Sequence, residues 1–173
     1  MKIFIPFLFL FLLTFSVAQA AKSPNIIIIL ADDMGYGDLG CYGHPRAKTP
    51  VIDGLAKEGV RFTQHYSNGT ECSPTRTAFL TGRYQQRAGG LECAIGTGNV
   101  GRYDDAIRLA GQRQLGLPAK QVVLPSALKP AGYASGVFGK WHLGYEPQFN
   151  PMEHGWDDFF GYMGGNVHYF NHR

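Results

Sequence analysis

Three short polar clusters in this sequence combine residue types that can do chemistry. The first is Asp32-Asp33, set directly after the apolar run Asn25 to Leu30. Two adjacent carboxylates at the end of a buried strand repel one another unless a cation neutralises them. Hard oxygen donors suit calcium or magnesium better than zinc. A solvated acidic turn fits the same two residues equally well. The second cluster is Cys72-x-Pro74-x-Arg76. A proline in the first turn of a helix places the cysteine beside unpaired N–H groups and the positive end of the helix dipole, a setting for an anionic substrate. Arg76 offers a planar fork to a tetrahedral oxyanion, and a thiol so placed is a candidate nucleophile. A structural cysteine ahead of a capped helix is the plainer alternative. The third cluster is Lys140-x-His142. Two residues apart on an extended segment, both side chains share a face, where they can bind an anion and move a proton. Taken alone, such a pair is more commonly solvated surface.

The elements that must position these clusters follow from periodicity. Asn25 to Leu30 is a continuous β-branched run, predicting a strand buried on both faces. Thr49-Pro50 predicts a helix start, with Val51, Leu55 and Ala56 as its apolar stripe and Gly59 as its stop. Val60 to Tyr66 alternates as a second strand. Pro74 fits the first turn of a helix that Gly82 stops, which places Cys72 just before its N-terminus. Residues 84–120, rich in glycine, predict a long loop-rich excursion. A short helix over Ser126 to Ala131 and a third strand over Tyr133 to Phe138 follow, and the aromatic-rich tail from Gly155 to Phe170 has little pattern. Strands separated by helices predict an α/β fold with a mostly parallel sheet. In such sheets ligands bind beyond the carboxyl ends of the strands. All three polar clusters follow strands, so they form one joint hypothesis.

Composition sets outer bounds. The 173 residues are 45% hydrophobic and carry a net charge of +3, enough apolar content for one domain with a core and too little charge to imply nucleic acid. Lys2, the apolar stretch of residues 3–17 and Ala18-Gln19-Ala20 form a secretory signal pattern, so residues 1–20 are expected to be cleaved and residues 21–173 exported to the periplasm or outside the cell. A membrane anchor is the competing reading, disfavoured by the short run and the small residues after it; no stable membrane insertion of the mature chain is expected. The cysteines Cys41, Cys72 and Cys93 are too few for a disulfide framework. Should Cys72 be consumed chemically, Cys41 and Cys93 are left as a candidate pair.

Cys72-Ser73-Pro74-Thr75-Arg76, with Leu80-Thr81-Gly82 behind it, resembles the first signature of the formylglycine-dependent sulfatase family. Gly132-Tyr133-Ala134-Ser135 through Gly139-Lys140-Trp141-His142 resembles the second, and Pro24-Asn25 with its apolar run and Asp32-Asp33 resembles the family's opening metal motif. Glu71 and Phe138 depart from the usual residues at their positions. The resemblance implies an alkaline-phosphatase-like α/β/α sandwich, with residues 21–173 as the N-terminal part of the catalytic domain. It implies that a formylglycine-generating maturation enzyme oxidises Cys72 to an aldehyde, which hydrates to a diol. One diol oxygen attacks sulfur and displaces the alcohol; the other hydroxyl is then deprotonated, expels sulfate and restores the aldehyde. It also implies a calcium ion ligated by Asp32, Asp33 and the group made from Cys72, with Arg76, Lys140 and His142 as catalytic residues. Sulfated small molecules or glycans are the implied substrates, and Tyr162, Tyr169 and Phe170 are candidates to stack on sugar faces. The family's further metal ligands and its leaving-group acid have no motif among these residues, so the chain is expected to be part of a longer protein and inactive by itself. A phosphonate or phosphodiester hydrolase of the same superfamily is the alternative reading.

Overall fold

The computed structural model describes residues 23–89, 93–96 and 104–171. Residues 1–20, expected to be a signal segment, lie outside the described residues. Among those described, no helix is long and apolar enough to cross a membrane. The chain divides into two compact units, one ending at Met34 and the other beginning at Gly35.

In the first unit the expected strand at Asn25 to Leu30 does not form: these residues carry no strand pairing, and Ile27 and Ile29 are 84% and 88% exposed. β-branched side chains supply propensity, but a strand exists only through a ladder of backbone hydrogen bonds to a neighbour. Asp33 closes this unit's apolar run with a left-handed backbone, φ 55°. Among the described residues, the regular helices and strands all belong to the second unit.

The second unit opens on two single-turn 3-10 segments, Tyr36–Asp38 and Gly40–Tyr42, and then helix α1, Pro50–Glu58. Pro50 takes the first position of α1 as expected, and Gly59 donates its N–H to the Leu55 carbonyl at 2.9 Å to end it. Asp53 ties this helix to the preceding turn. It accepts from the Thr49 hydroxyl at 2.9 Å and from the Cys41 N–H at 2.7 Å. Those donors, Thr49 first, hold its carboxyl below the usual range, while burial and then Asp53 push the Cys41 thiol up. The expected second strand at Val60 to Tyr66 is likewise unpaired.

Helix α2, Cys72–Thr81, is followed by α3, Asp104–Gly111, inside the region expected to be loop. Ala106, Leu109 and Ala110 pack into the core and have the three- and four-residue spacing of a helix face. That signal was short and surrounded by glycines. Helix α4, Leu124–Leu128, and the 3-10 turn Lys129–Ala131 match the helix expected there. Two parallel strands follow, β1 at Gly136–Lys140 and β2 at Asp158–Tyr162, in register from Gly136 opposite Asp158 to Lys140 opposite Tyr162. Strand β1 therefore begins and ends later than the Tyr133 to Phe138 expected, and β2 lies in the tail that showed no pattern. Phe159 packs against the core, whereas the adjacent Phe160 is 80% exposed. A core of Leu117, Val123, Trp141 and Leu143 sits beside the pair.

Close backbone approach explains one glycine in β2. A Cβ added to Gly161 would lie 1.9 Å from the Gly139 carbonyl oxygen, so any side chain there forces the strands apart. The register is pinned at the other end by Asp157, which accepts from the Ser135 N–H at 2.9 Å and from Lys129 Nζ at 3.2 Å. These donors, the Ser135 amide first, hold its carboxyl below the usual range. A lowered folded value means that the carboxylate stabilises the fold above its ordinary pKa of about 3.9 and loses that contribution as pH falls through the folded value. Asp157→Asn is therefore expected to lower the urea midpoint at pH 7, with the difference from the parent shrinking as pH is taken below about 4. A midpoint difference that is constant with pH excludes this contribution.

Candidate active site

Cys72 is the first residue of α2 rather than the residue before it; the extended Glu71, φ −133° and ψ 169°, precedes the helix. Pro74 consequently occupies the third position, where its missing N–H costs nothing because first-turn amides have no partner within the helix. Ser73, Pro74, Thr77, Ala78 and Leu80 bury one side of α2. Cys72 and Arg76, four residues apart and therefore neighbours on the helix surface, remain half-buried.

Strand β1 delivers Lys140 to this surface. Its ammonium Nζ donates to Cys72 Sγ at 3.0 Å. Arg76 Nη1 donates to the backbone carbonyl of Lys140 at 2.7 Å. One residue thus receives the guanidinium on its main chain and extends its own charge to the thiol. The Lys140 ammonium and the first turn of a helix meet at position 72, with Arg76 holding the main chain of Lys140, an arrangement that can stabilise negative charge developing there. Of the three sequence clusters, those around Cys72 and Lys140 are brought together.

His142 behaves differently. The alternation that was to place it on the face of Lys140 ends at Lys140, because His142 has a left-handed backbone, φ 58°. Such a conformation costs about 1–3 kcal/mol for a side-chain-bearing residue and persists where its surroundings over-determine it. Here they do. The His142 N–H donates to the Met163 carbonyl at 3.1 Å, the ring is 4% exposed, and Nε2 meets the Ile95 carbonyl. Gly165 leaves the room this ring takes: a Cβ there would lie 2.7 Å from His142 Cε1. Ile95 and Gly165 were not anticipated, since a backbone carbonyl and an absent side chain leave no motif.

Asp32 and Asp33 belong to the first unit, and both are exposed. Two adjacent carboxylates give hard oxygen donors, chemistry that fits a calcium ion. The candidate pairing of Cys41 with Cys93 is not made. Cys41 sits on the turn held by Asp53, whereas Cys93 packs into the core cluster with Leu80 and Ile95, and no disulfide joins them.

Comparison with known proteins places this arrangement. The family model described as Sulfatase matches residues 24–172. The chain is 44% identical over 144 residues to N-acetylgalactosamine-6-sulfatase of Canis lupus familiaris, covering 83% of this chain and 26% of that protein. It is 40% identical over 166 residues to steryl-sulfatase of Homo sapiens, covering 92% and 27%. The chain therefore spans about a quarter of the length of these curated relatives. Among solved structures, that of Ps i-CgsB aligns with a TM-score of 0.73 and 36% identity over 86% of this chain and 30% of that one. The same figures hold for its complex with k-i-k-neocarrahexaose. The parallel pair with its flanking helices is thus part of an alkaline-phosphatase-like α/β fold, and the chain belongs to the sulfatase family.

Proposed function

We propose that the full-length protein hydrolyses sulfate esters, with residue 72 as the nucleophile and residues 21–173 as the N-terminal part of its catalytic domain. The observation that carries this reading is the approach of Lys140 Nζ to Cys72 Sγ at 3.0 Å, beside the Arg76 guanidinium. The sulfur stands where the oxygens of a formylglycine would be. As formylglycine, made by a maturation enzyme, residue 72 supplies an oxygen nucleophile and an internal route for releasing sulfate. Lys140 holds that oxygen and the sulfate together, because an ammonium can donate to both. Arg76 fixes the main chain from which Lys140 reaches and adds a second permanent charge. His142 accepts the proton of the remaining hydroxyl as sulfate departs and the aldehyde is restored. Asp32 and Asp33 would be this chain's ligands for a calcium ion, which would supply Lewis-acid stabilisation of the sulfate charge.

A sulfated glycan is the substrate class we favour. The Ps i-CgsB neighbour was solved with a neocarrahexaose, and Tyr169 and Phe170 are 88% and 91% exposed, available to stack on sugar faces. An exported location accords with the apolar segment and Ala18-Gln19-Ala20 at the start of the sequence.

The deciding experiment uses full-length protein co-expressed with a maturation enzyme, assayed on aryl sulfate, sulfated oligosaccharides and a phosphodiester. Sulfate esters are expected to be the better substrates, and faster phosphodiester turnover moves the protein to the neighbouring hydrolase class. Chelation should abolish most activity and calcium should restore it. Asp33→Ala is expected to lower bound calcium, measured by emission spectrometry, together with a rate loss of about 10²-fold or more. Unchanged calcium content in that variant removes Asp33 from the metal site.

A further inference from the structure

We propose that Glu71 is a positioning residue: with Ser73 it straps Cys93–Gly96 across the start of α2, and the Ile95 carbonyl on this strap sets the orientation and tautomer of His142. The inference rests on the sulfate-ester reading above and deepens it.

Glu71 immediately precedes α2, where a carboxylate would ordinarily cap the helix. It makes no side-chain cap. Its Oε2 instead accepts from the Ala94 N–H at 2.5 Å, and Ser73 Oγ accepts from the next amide, that of Ile95, at 3.0 Å. Two consecutive backbone amides of the strap are therefore held by two side chains flanking Cys72. The Ile95 side chain is 3% exposed and belongs to the same core cluster as Leu80 and Trp141, so the strap is anchored by packing as well.

The other edge of Ile95 faces His142. Its carbonyl accepts from His142 Nε2 and from the Tyr145 hydroxyl, the latter at 3.3 Å. A carbonyl can only accept, so Nε2 carries the proton, and in the neutral ring Nδ1 bears the lone pair. The N–H and C=O of Ile95 thus form a rigid link between the start of α2 and the histidine. A partner that fixes ring orientation and tautomer in this way is commonly worth about 10- to 100-fold when lost. The sequence departure at Glu71 acquires a physical meaning: an acid stands there because an amide must be held.

The test compares Glu71→Ala, which removes the acceptor, with Glu71→Gln, which keeps a neutral one. Both are made in the full-length matured protein, and rates are divided by formylglycine content because the position borders Cys72. Glu71→Ala is expected to lower kcat about 10- to 100-fold with KM within about threefold, and Glu71→Gln to recover most of the rate. Two further readouts are independent of activity. In Glu71→Ala, peptides covering Ala94 and Ile95 should exchange amide hydrogen faster. ¹⁵N spectra of histidine-labelled protein, with His142 assigned by its absence in His142→Asn, should lose the fixed Nε2–H signature. Parental kcat per formylglycine, parental exchange or an unchanged His142 signature in Glu71→Ala each overturns the proposal. So does Glu71→Gln behaving like Glu71→Ala, which assigns the effect to charge. A parent protein that hydrolyses no sulfate ester refutes the functional reading, while exchange and ¹⁵N spectra still decide whether Glu71 holds the strap and His142.

Discussion

Cys72→Ala in the full-length protein is expected to abolish steady-state sulfate-ester turnover, a loss of at least about 10⁴-fold in kcat, with KM little changed. Removing the nucleophile of a covalent hydrolase costs on this order, and binding groups alone leave only residual catalysis. The separation of kcat from KM follows from the geometry. Cys72 is the first residue of α2, and alanine there leaves the first-turn amides, Arg76 and the Lys140 ammonium in place to bind the anion. Cys72→Ser provides the sharper test. A serine hydroxyl can accept sulfate but has no second hydroxyl to expel it, so a stoichiometric burst without turnover is expected. In the parent protein, mass spectrometry of the tryptic peptide ending at Arg76 should show aldehyde in place of thiol at position 72. Cys41, whose thiol is pushed up by burial and by Asp53, should remain a thiol and alkylate slowly. A fully active protein whose position 72 is unmodified thiol would refute the mechanism.

The sequence carried the site better than it carried the sheet. Cys72, Pro74 and Arg76 act through helix position and side-chain type, both local properties, and α2 formed within one residue of the expected place. The meeting of Lys140 with Cys72 was legible only as a joint inference from strand ends, and Lys140 is indeed the last residue of β1. Strand β2 was hidden because its central residues do not alternate, and Gly161 is chosen for backbone clearance rather than burial. Asn25 to Leu30 shows the reverse failure: strong propensity without a paired neighbour among the described residues. His142 was expected to share a face with Lys140, which its backbone does not allow. Period-two reasoning assumes extended backbone, and a left-handed residue turns its side chain elsewhere.

Lys140→Ala is expected to lower kcat by about 10²–10³-fold, the usual cost of removing one preorganised donor from developing negative charge. The fold should survive this change. The contact that pins the end of β1 runs from Arg76 to the Lys140 carbonyl, and alanine keeps that carbonyl. The ladder to β2 is likewise main-chain, in register through Lys140 and Tyr162. The urea midpoint should therefore move little while catalysis collapses. Arg76→Met predicts the opposite balance, because it withdraws a charge and releases the strand end together. The two changes share one partner, so their effects on kcat should not add: the double variant should lose less than the product of the two single losses. Lys140→Arg should rescue poorly, since a planar fork cannot present the compact ammonium point charge that now lies 3.0 Å from Cys72 Sγ. Lys140→Ala with kcat within tenfold of the parent, at equal formylglycine content, would show that the ammonium beside residue 72 orders the site without stabilising the reaction.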